Sequence, residues 1–213
     1  NAENNLCLKA FNLLKKDYPQ LPEIYIHLHK AIPIGAGLGG GSSDAAFMLQ
    51  LLNEKFNLNI SPDNMLVYAL QLGSDCSFFL LNKPSIASGR GEILEPINLS
   101  LSGHKILLIN PRIHISTAEA FKKINPVIPE KKIKNIILQP IETWEEELSN
   151  DFENYVFERY PLIKKIKTDL YKAGAEYAAM SGSGSTIFGI FKKNNTINYN
   201  IEPGFFHHLT KAS

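Results

Sequence analysis

The sequence predicts an α+β protein, and three observations carry that prediction. Apolar residues recur at helical spacing in the runs 6–14, 45–52, 62–71 and 161–172, each keeping one apolar face at a period near 3.6. Short alternating or continuous apolar runs at 23–30, 104–110, 176–180 and 187–191 read as strands. Glycines at 89 and 91, and again at 182 and 184, turn flanking strands back on themselves, as hairpins do.

Size and composition narrow the class of protein. At 213 residues and 44% hydrophobic, the chain can bury a core in one large or two small domains. A net charge of +1, with no dense basic patch, excludes an electrostatic nucleic-acid binder. The densest basic stretch, Lys131, Lys132 and Lys134, reads as a solvated helix start. The longest apolar runs are too short to span a bilayer, and no signal peptide is visible. Cys7 and Cys76 sit in apolar surroundings, as buried free thiols in a reducing, cytoplasmic compartment do.

In chain order, Asn5 can cap a helix whose apolar face is Leu6, Ala10, Leu13 and Leu14. Residues 23–30 alternate, with Ile24, Ile26 and Leu28 on one face. His27 and His29 share the other face; without visible partner ligands they read as solvent-facing or sheet-covered rather than metal-binding. Lys30 ends this strand. Pro33 to Ala46 follows, with glycines at 35, 37, 39, 40 and 41, then Ser42, Ser43 and Asp44. Without Cβ atoms, successive backbone N–H groups can converge on one point. A helix starting at Ser42 or Ser43 aims its free N–H groups at the same place, which makes an anion cradle suited to a polyphosphate. A P-loop is excluded, because no lysine lies between Ala31 and Glu54. Gly35, Gly37 and Gly40 satisfy the dinucleotide fingerprint, but the region about 20 residues on, where that motif needs a strand ending in an acid, opens another helix at Ser61-Pro62-Asp63.

That helix ends at Gly73. Asp75 then stands between the glycine and a buried-looking strand at 77–81, where a turn or cap role is the plain reading. Ser85–Ile97 forms a hairpin turning at Gly89–Gly91. A polar break at 100–103 precedes the strand 104–110, which Pro111 ends, and divides an N-terminal domain (1–100) from a C-terminal one (101–213). The next helix is capped by Ser116 or Thr117, and Phe121 lies one turn beyond Thr117 as a core aromatic. From Lys131 to Lys172 the pattern is helical with interruptions, Trp144 packing within it. The segment 181–186 is a second glycine loop between two strands, and 205–208 closes a final strand.

The string Pro33 to Ala46 resembles the second motif of the GHMP kinases, small-molecule kinases named for galactose, homoserine, mevalonate and phosphomevalonate. Its triple glycine before Ser42 resembles the branch that uses ATP to phosphorylate the 2-hydroxyl of 4-diphosphocytidyl-2-C-methyl-D-erythritol, a cytidine diphosphate sugar-alcohol, in the non-mevalonate isoprenoid route. Leu72 to Phe79 resembles that branch's segment whose aspartate faces the substrate hydroxyl. Met180 to Phe188 resembles the third GHMP motif. The three keep the family's order, and the resemblance covers nearly the whole chain.

It implies a two-domain GHMP fold: an N-terminal domain like ribosomal protein S5 domain 2, truncated here, and a ferredoxin-like split βαβ domain, with the site between them. It implies ATP phosphate binding by Pro33, Gly35, Ala36, Gly37, Leu38, Gly39, Gly40, Gly41, Ser42 and Ser43, with Asn5, Leu6 and Lys30 near the adenine. Asp75 is implied as general base. Thr117, Phe121, Gly182 and Gly184 are implied to touch the substrate, Phe121 by stacking on cytosine. Mg²⁺ is expected on Ser42, Ser43 or Asp44. The implied first motif, with its lysine, asparagine and Tyr-His pair, would precede Asn5; the sequence does not contain it, so a phosphate-neutralising lysine is missing from this stretch and the chain alone is expected to lack activity. The resemblance leaves monomer and homodimer open, along with two other readings: another GHMP kinase, of homoserine or mevalonate type, or a non-catalytic nucleotide-binding domain.

Overall fold

The protein is described by a computed structural model covering residues 4–124 and 129–212; Asn1, on which the sequence opens, lies outside them. It divides into two compact units, one of residues 1–34 and 39–98, the other of residues 35–38 and 99–213.

The first unit is built on four helices. Helix α1 (Leu6–Asp17) starts where the Asn5 side chain accepts from the Cys7 and Leu8 amides, and ends with Lys15 and Lys16 in its last turn, where cations suit the negative dipole end. Its buried residues Cys7, Ala10, Phe11 and Leu14 form one stripe. That stripe meets Ala45, Leu49 and Leu52 of α2 (Gly40–Lys55), and Met65 and Ala69 of α3 (Pro62–Leu72). Ser61 caps α3 by accepting from the Asn64 amide, with Pro62 at the first position and Gly73 ending the helix, as its local sequence dictates.

Two expectations fail in this unit. Residues 77–81 belong to a helix, α4 (Cys76–Leu81), not a strand. A short apolar run carries no period of its own, and here the surrounding helices decide it: Cys76 and Leu80 complete the α1–α3 core. Residues 23–30 form no strand either. Alternation specifies two faces but does not supply hydrogen bonds, and among the described residues no strand pairs with this segment. His27 and His29 are exposed rather than sheet-covered, as are Tyr25, Ile26 and Leu28. The ladder in this unit is the hairpin of β1 (Ser85–Ser88) and β2 (Ile93–Pro96).

The second unit holds an antiparallel sheet of β3 (His104–Asn110), β4 (Tyr177–Met180), β5 (Ile187–Lys192) and β6 (Phe206–Lys211), in the order β4-β5-β3-β6. β3 and β4, joined through the helices, flank β5, which is the expected split β-α-β arrangement. The joining helices are α5 (Thr117–Lys123), α6 (Ile133–Ile137), α7 (Trp144–Glu147), α8 (Phe152–Arg159) and α9 (Pro161–Lys172). Ile163, Ile166 and Leu170 of α9 bury one face against Ile109, Ala178, Ile187 and Phe191 of the sheet. Trp144 is buried edge-on to Tyr177, and its indole N–H donates to the Gln139 carbonyl. Glu153 of α8 is buried as well; it accepts from the Met180 amide at 2.7 Å and pairs with Lys167 at 2.6 Å, which ties two helices to the end of β4.

Candidate active site

The glycine loop owes its shape to alternating backbone signs. Gly35, Gly37 and Gly39 have φ of 68°, 75° and 64°, while Ala36 and Leu38 between them stay at negative φ. Such alternation turns successive N–H groups to one side, forming an anion-binding nest. At Gly37 the requirement for glycine is doubled, because a Cβ there would lie 2.2 Å from the Ser181 carbonyl oxygen.

Helix α2 begins at Gly40, two or three residues before the expected start at Ser42 or Ser43, because Gly39 can take the left-handed conformation at its cap. No side chain caps it, and its first internal bond is Ser43 N–H to the Gly39 carbonyl at 2.9 Å. The amides of Gly40, Gly41 and Ser42 therefore have no acceptor within the helix, and the positive dipole end adds to them.

Lys30 organises the same turn. Its Nζ donates to the Gly40 carbonyl at 3.3 Å and to Asp44 Oδ2 at 2.5 Å, and both side chains of the pair are three-quarters buried, each 24% exposed. Asp44 is thus held by an ammonium rather than left free. Asn5 spends its side-chain oxygen on capping α1, and Leu6 lies beneath Gly41, its Cδ1 3.5 Å from where a Cβ would stand. A groove of about 460 Å³ opens beside them, lined by Cys7, Ile26, Leu28, Asp44, Phe47 and Leu51 among others; Asn5, Leu6 and Lys30 do not line it.

Asp75 is exposed and immediately precedes α4 without capping it. Ser74 Oγ approaches its Oδ1 at 3.5 Å, and Gly91 of the β1–β2 turn comes so close that a Cβ would be 3.3 Å from that oxygen. The hairpin turn at Gly89–Gly91 therefore borders the carboxylate. The neighbouring Cys76 thiol is pushed up by burial; a hydrogen bond from Ser42 opposes this and the Asp75 charge reinforces it. Burial also raises the Cys7 thiol, with the Asp44 charge adding to the effect and Lys30 opposing it.

In the second unit, residues 35–38 are held by the second glycine loop. Ser181 Oγ donates to the Gly37 carbonyl at 2.7 Å, and Thr186 Oγ1 to the Ala36 carbonyl at 2.6 Å. Asn150 Nδ2 donates to the Met180 and Gly182 carbonyls at 2.7 and 2.8 Å, bracing that loop from α8's side. Ser116, not Thr117, caps α5, which leaves the Thr117 hydroxyl 3.0 Å from Ser183 Oγ. Phe121 is not a core aromatic: it is 59% exposed, with its ring edge-on to Phe152 at 4.9 Å. Sequence reasoning had not singled out Ser181, Thr186 or Asn150 as site-building residues. A polar triplet at a strand end was the available signal, and nothing local tells which carbonyl a hydroxyl will reach.

The donor set admits a hard cation only sparingly. Among the described residues no three His, Cys, Asp or Glu side chains cluster as a metal site, and of the three oxygen donors expected for Mg²⁺ the carboxylate of Asp44 is engaged by Lys30. The Ser42 and Ser43 hydroxyls fit an ion that keeps most of its waters and takes phosphate oxygens, as Mg²⁺ does.

Known proteins bear on this geometry directly. Residues 5–83 match the GHMP kinases N terminal domain, and residues 132–198 match the GHMP kinases C terminal domain. The 4-diphosphocytidyl-2-C-methyl-D-erythritol kinase of Bacteroides thetaiotaomicron is 54% identical over 197 residues, spanning 92% of this chain and 72% of that one. The enzyme of the same name from Cytophaga hutchinsonii is 50% identical over 210 residues, 98% and 74% of the two chains. A crystal structure of 4-(cytidine 5'-diphospho)-2C-methyl-D-erythritol kinase superposes with a TM-score of 0.75 at 31% identity, covering 87% of this chain and 68% of the other. A homoserine kinase from Cytophaga hutchinsonii, at 16% identity and a TM-score of 0.71 over 100% and 78% of the chains, shares the fold. The chain belongs to the GHMP kinases, and within them to the family of the 4-diphosphocytidyl-2-C-methyl-D-erythritol kinases.

Proposed function

We propose that the protein transfers the γ-phosphoryl group of ATP to the 2-hydroxyl of 4-diphosphocytidyl-2-C-methyl-D-erythritol. The observation that carries this reading is the nest of alternating φ at 35–39 running into the uncapped start of α2, a site for phosphate oxygens. Its relatives' shared name supplies the acceptor.

Phosphoryl transfer asks the protein for alignment and charge neutralisation rather than covalent chemistry. The amides of the loop and of Gly40 to Ser42 hold the β- and γ-phosphates. Asp75 accepts the proton of the attacking hydroxyl as that oxygen bonds to the γ-phosphorus and the bond to ADP breaks. Mg²⁺, when bound, adds positive charge at the phosphates, with Ser42 or Ser43 as its protein ligand. Lys30 acts by keeping Asp44 and the Gly40 carbonyl turned away from the phosphates. Thr117, Gly182 and Gly184 line the acceptor, and the exposed ring of Phe121 stacks on cytosine. Among the described residues no helix is long and apolar enough to cross a membrane.

The test is ATP-dependent phosphorylation of 4-diphosphocytidyl-2-C-methyl-D-erythritol by the chain carrying the implied first motif ahead of Asn5, with Asp75→Asn alongside. Removing a general base lowers kcat by roughly 10²–10⁴-fold, with ATP affinity retained. Undiminished turnover in Asp75→Asn would remove that residue from the chemistry; ATP binding with no turnover of this acceptor would sink the substrate assignment. Phe121→Ala separates this acceptor from one without a base. Loss of stacking costs about 1–3 kcal/mol, so KM for the cytidine substrate should rise about tenfold while KM for ATP holds.

A further inference from the structure

We infer that Asn110 is a positioning residue for the phosphate loop, acting through the hydroxyl of Thr186 on the carbonyl of Ala36. The inference rests on reading residues 35–41 as the ATP-phosphate loop.

Asn110 ends β3 and is 2% exposed; Ser185 and Thr186, just before β5, are fully buried. Three polar side chains packed together in a core are costly unless each bond is made, and here the bonds run in one direction. The Asn110 Oδ1 accepts from the Arg112 amide at 2.7 Å, which decides which way the side-chain amide faces. Its NH₂ then donates to Thr186 Oγ1 at 2.9 Å and to Ser185 Oγ at 3.3 Å. Each hydroxyl, having accepted, sends its own proton on: Thr186 to the Ala36 carbonyl at 2.6 Å, Ser185 to the Ile113 carbonyl at 2.7 Å. The Thr186 backbone N–H reaches the same Ala36 carbonyl at 3.2 Å, and Ser181 Oγ holds the next one, at Gly37.

What this does to the loop follows from the planarity of the peptide bond. In a trans peptide the carbonyl and the following N–H point in opposite directions. Fixing the Ala36 and Gly37 carbonyls toward the Thr186 and Ser181 hydroxyls therefore turns the Gly37 and Leu38 N–H groups away from them, outward, as a phosphate receptor requires. Without the relay, Ala36 keeps a single backbone donor and its peptide plane is freer to rotate. A purely structural network would serve only to satisfy its own buried atoms. It would have no reason to end one branch on the Ala36 carbonyl, whose reversed amide is part of the nest.

The experiment measures the ATP dissociation constant by calorimetry and amide hydrogen exchange over 33–41, in the wild type, Thr186→Val, Thr186→Ser and Asn110→Asp. Thr186→Val removes the proton donor. Thr186→Ser keeps it. Asn110→Asp retains the shape but can only accept, so both hydroxyl protons turn back toward it and the relay reverses. Thr186→Val and Asn110→Asp should each weaken ATP binding about tenfold, the equivalent of one lost anchoring hydrogen bond, and speed exchange at 36–38. Thr186→Ser should restore both. Should Thr186→Val not fold, Asn110→Asp decides. Unchanged ATP affinity in a folded Thr186→Val or Asn110→Asp overturns the inference while leaving the phosphate loop standing. No ATP binding by the wild type overturns the loop reading, and the inference with it.

Discussion

Side chains here act mostly by fixing something else. Lys30 restrains Asp44 and Gly40; Asn5 caps a helix; Thr186 and Ser181 hold the Ala36 and Gly37 carbonyls. Apart from the Asn5 cap, these partnerships are not visible in the sequence, because the partners are separated by up to 150 positions and a hydroxyl or amide carries no local mark of its acceptor. Buried titratable groups make a second residue-scale prediction. Burial raises the thiols of Cys7 and Cys76 and the phenol of Tyr177, and pushes Tyr171 up to about 12. Their ordinary values are 9.0 for cysteine and 10.0 for tyrosine. Above those values the unfolded chain loses protons that the folded protein retains, so it binds fewer protons and stability falls as pH rises. This part of the stability is complete below about pH 9 and declines as pH climbs through the raised folded-state values. Urea midpoints should therefore be lower at about pH 10.5 than at about pH 8. An equal or higher midpoint at the alkaline pH would show that these groups ionise in the folded protein as freely as in the unfolded chain.

Elements fared according to how much of their definition is local. Helix α3 was legible almost to the residue because Ser61, Pro62 and Gly73 are its cap, first position and stop. Helix α9 was equally plain, with Pro161 at its first position, Gly174 after it and three buried aliphatics at helical spacing. Residues 77–81 were misread, since a short apolar run takes its conformation from the helices it packs on. Residues 23–30 alternate as a strand does, yet a strand is defined by its ladder. The start of α2 came early because Gly39 takes a left-handed cap conformation without steric cost. The importance of α9 to the second unit can be measured. Ile166 is 2% exposed while Leu162, one turn earlier, is 39% exposed. Ile166→Ala should cost about 2–5 kcal/mol in chemical denaturation; Leu162→Ala should cost less than half as much, and comparable losses would mean that α9 does not bury the face described.

At the scale of the whole molecule, each unit has its own core: α1–α4 around Leu14, Leu49 and Ala69 in the first, and α9 on the sheet around Ile109, Ile187 and Phe191 in the second. The single tryptophan, Trp144, belongs to the second. Its fluorescence reports that unit alone, whereas far-ultraviolet circular dichroism reports the helices of both. Chains with separate cores commonly depart from two-state unfolding, so the two probes should give urea transitions with different midpoints. Superimposable curves would mean that the units unfold as one. The amino-acid sequence by itself determined the α+β class, the capped helices, the two glycine loops and the chemistry those loops invite, because these are written in short-range spacing and in the few residue types that tolerate special backbone angles. Only the tertiary structure decided that 76–81 is a helix, that Asp44 is bound to Lys30, that Phe121 stands exposed, and that Asn110 reaches the Ala36 carbonyl through Thr186. Each of those outcomes depends on which distant atoms arrive at contact distance, and packing alone sets that.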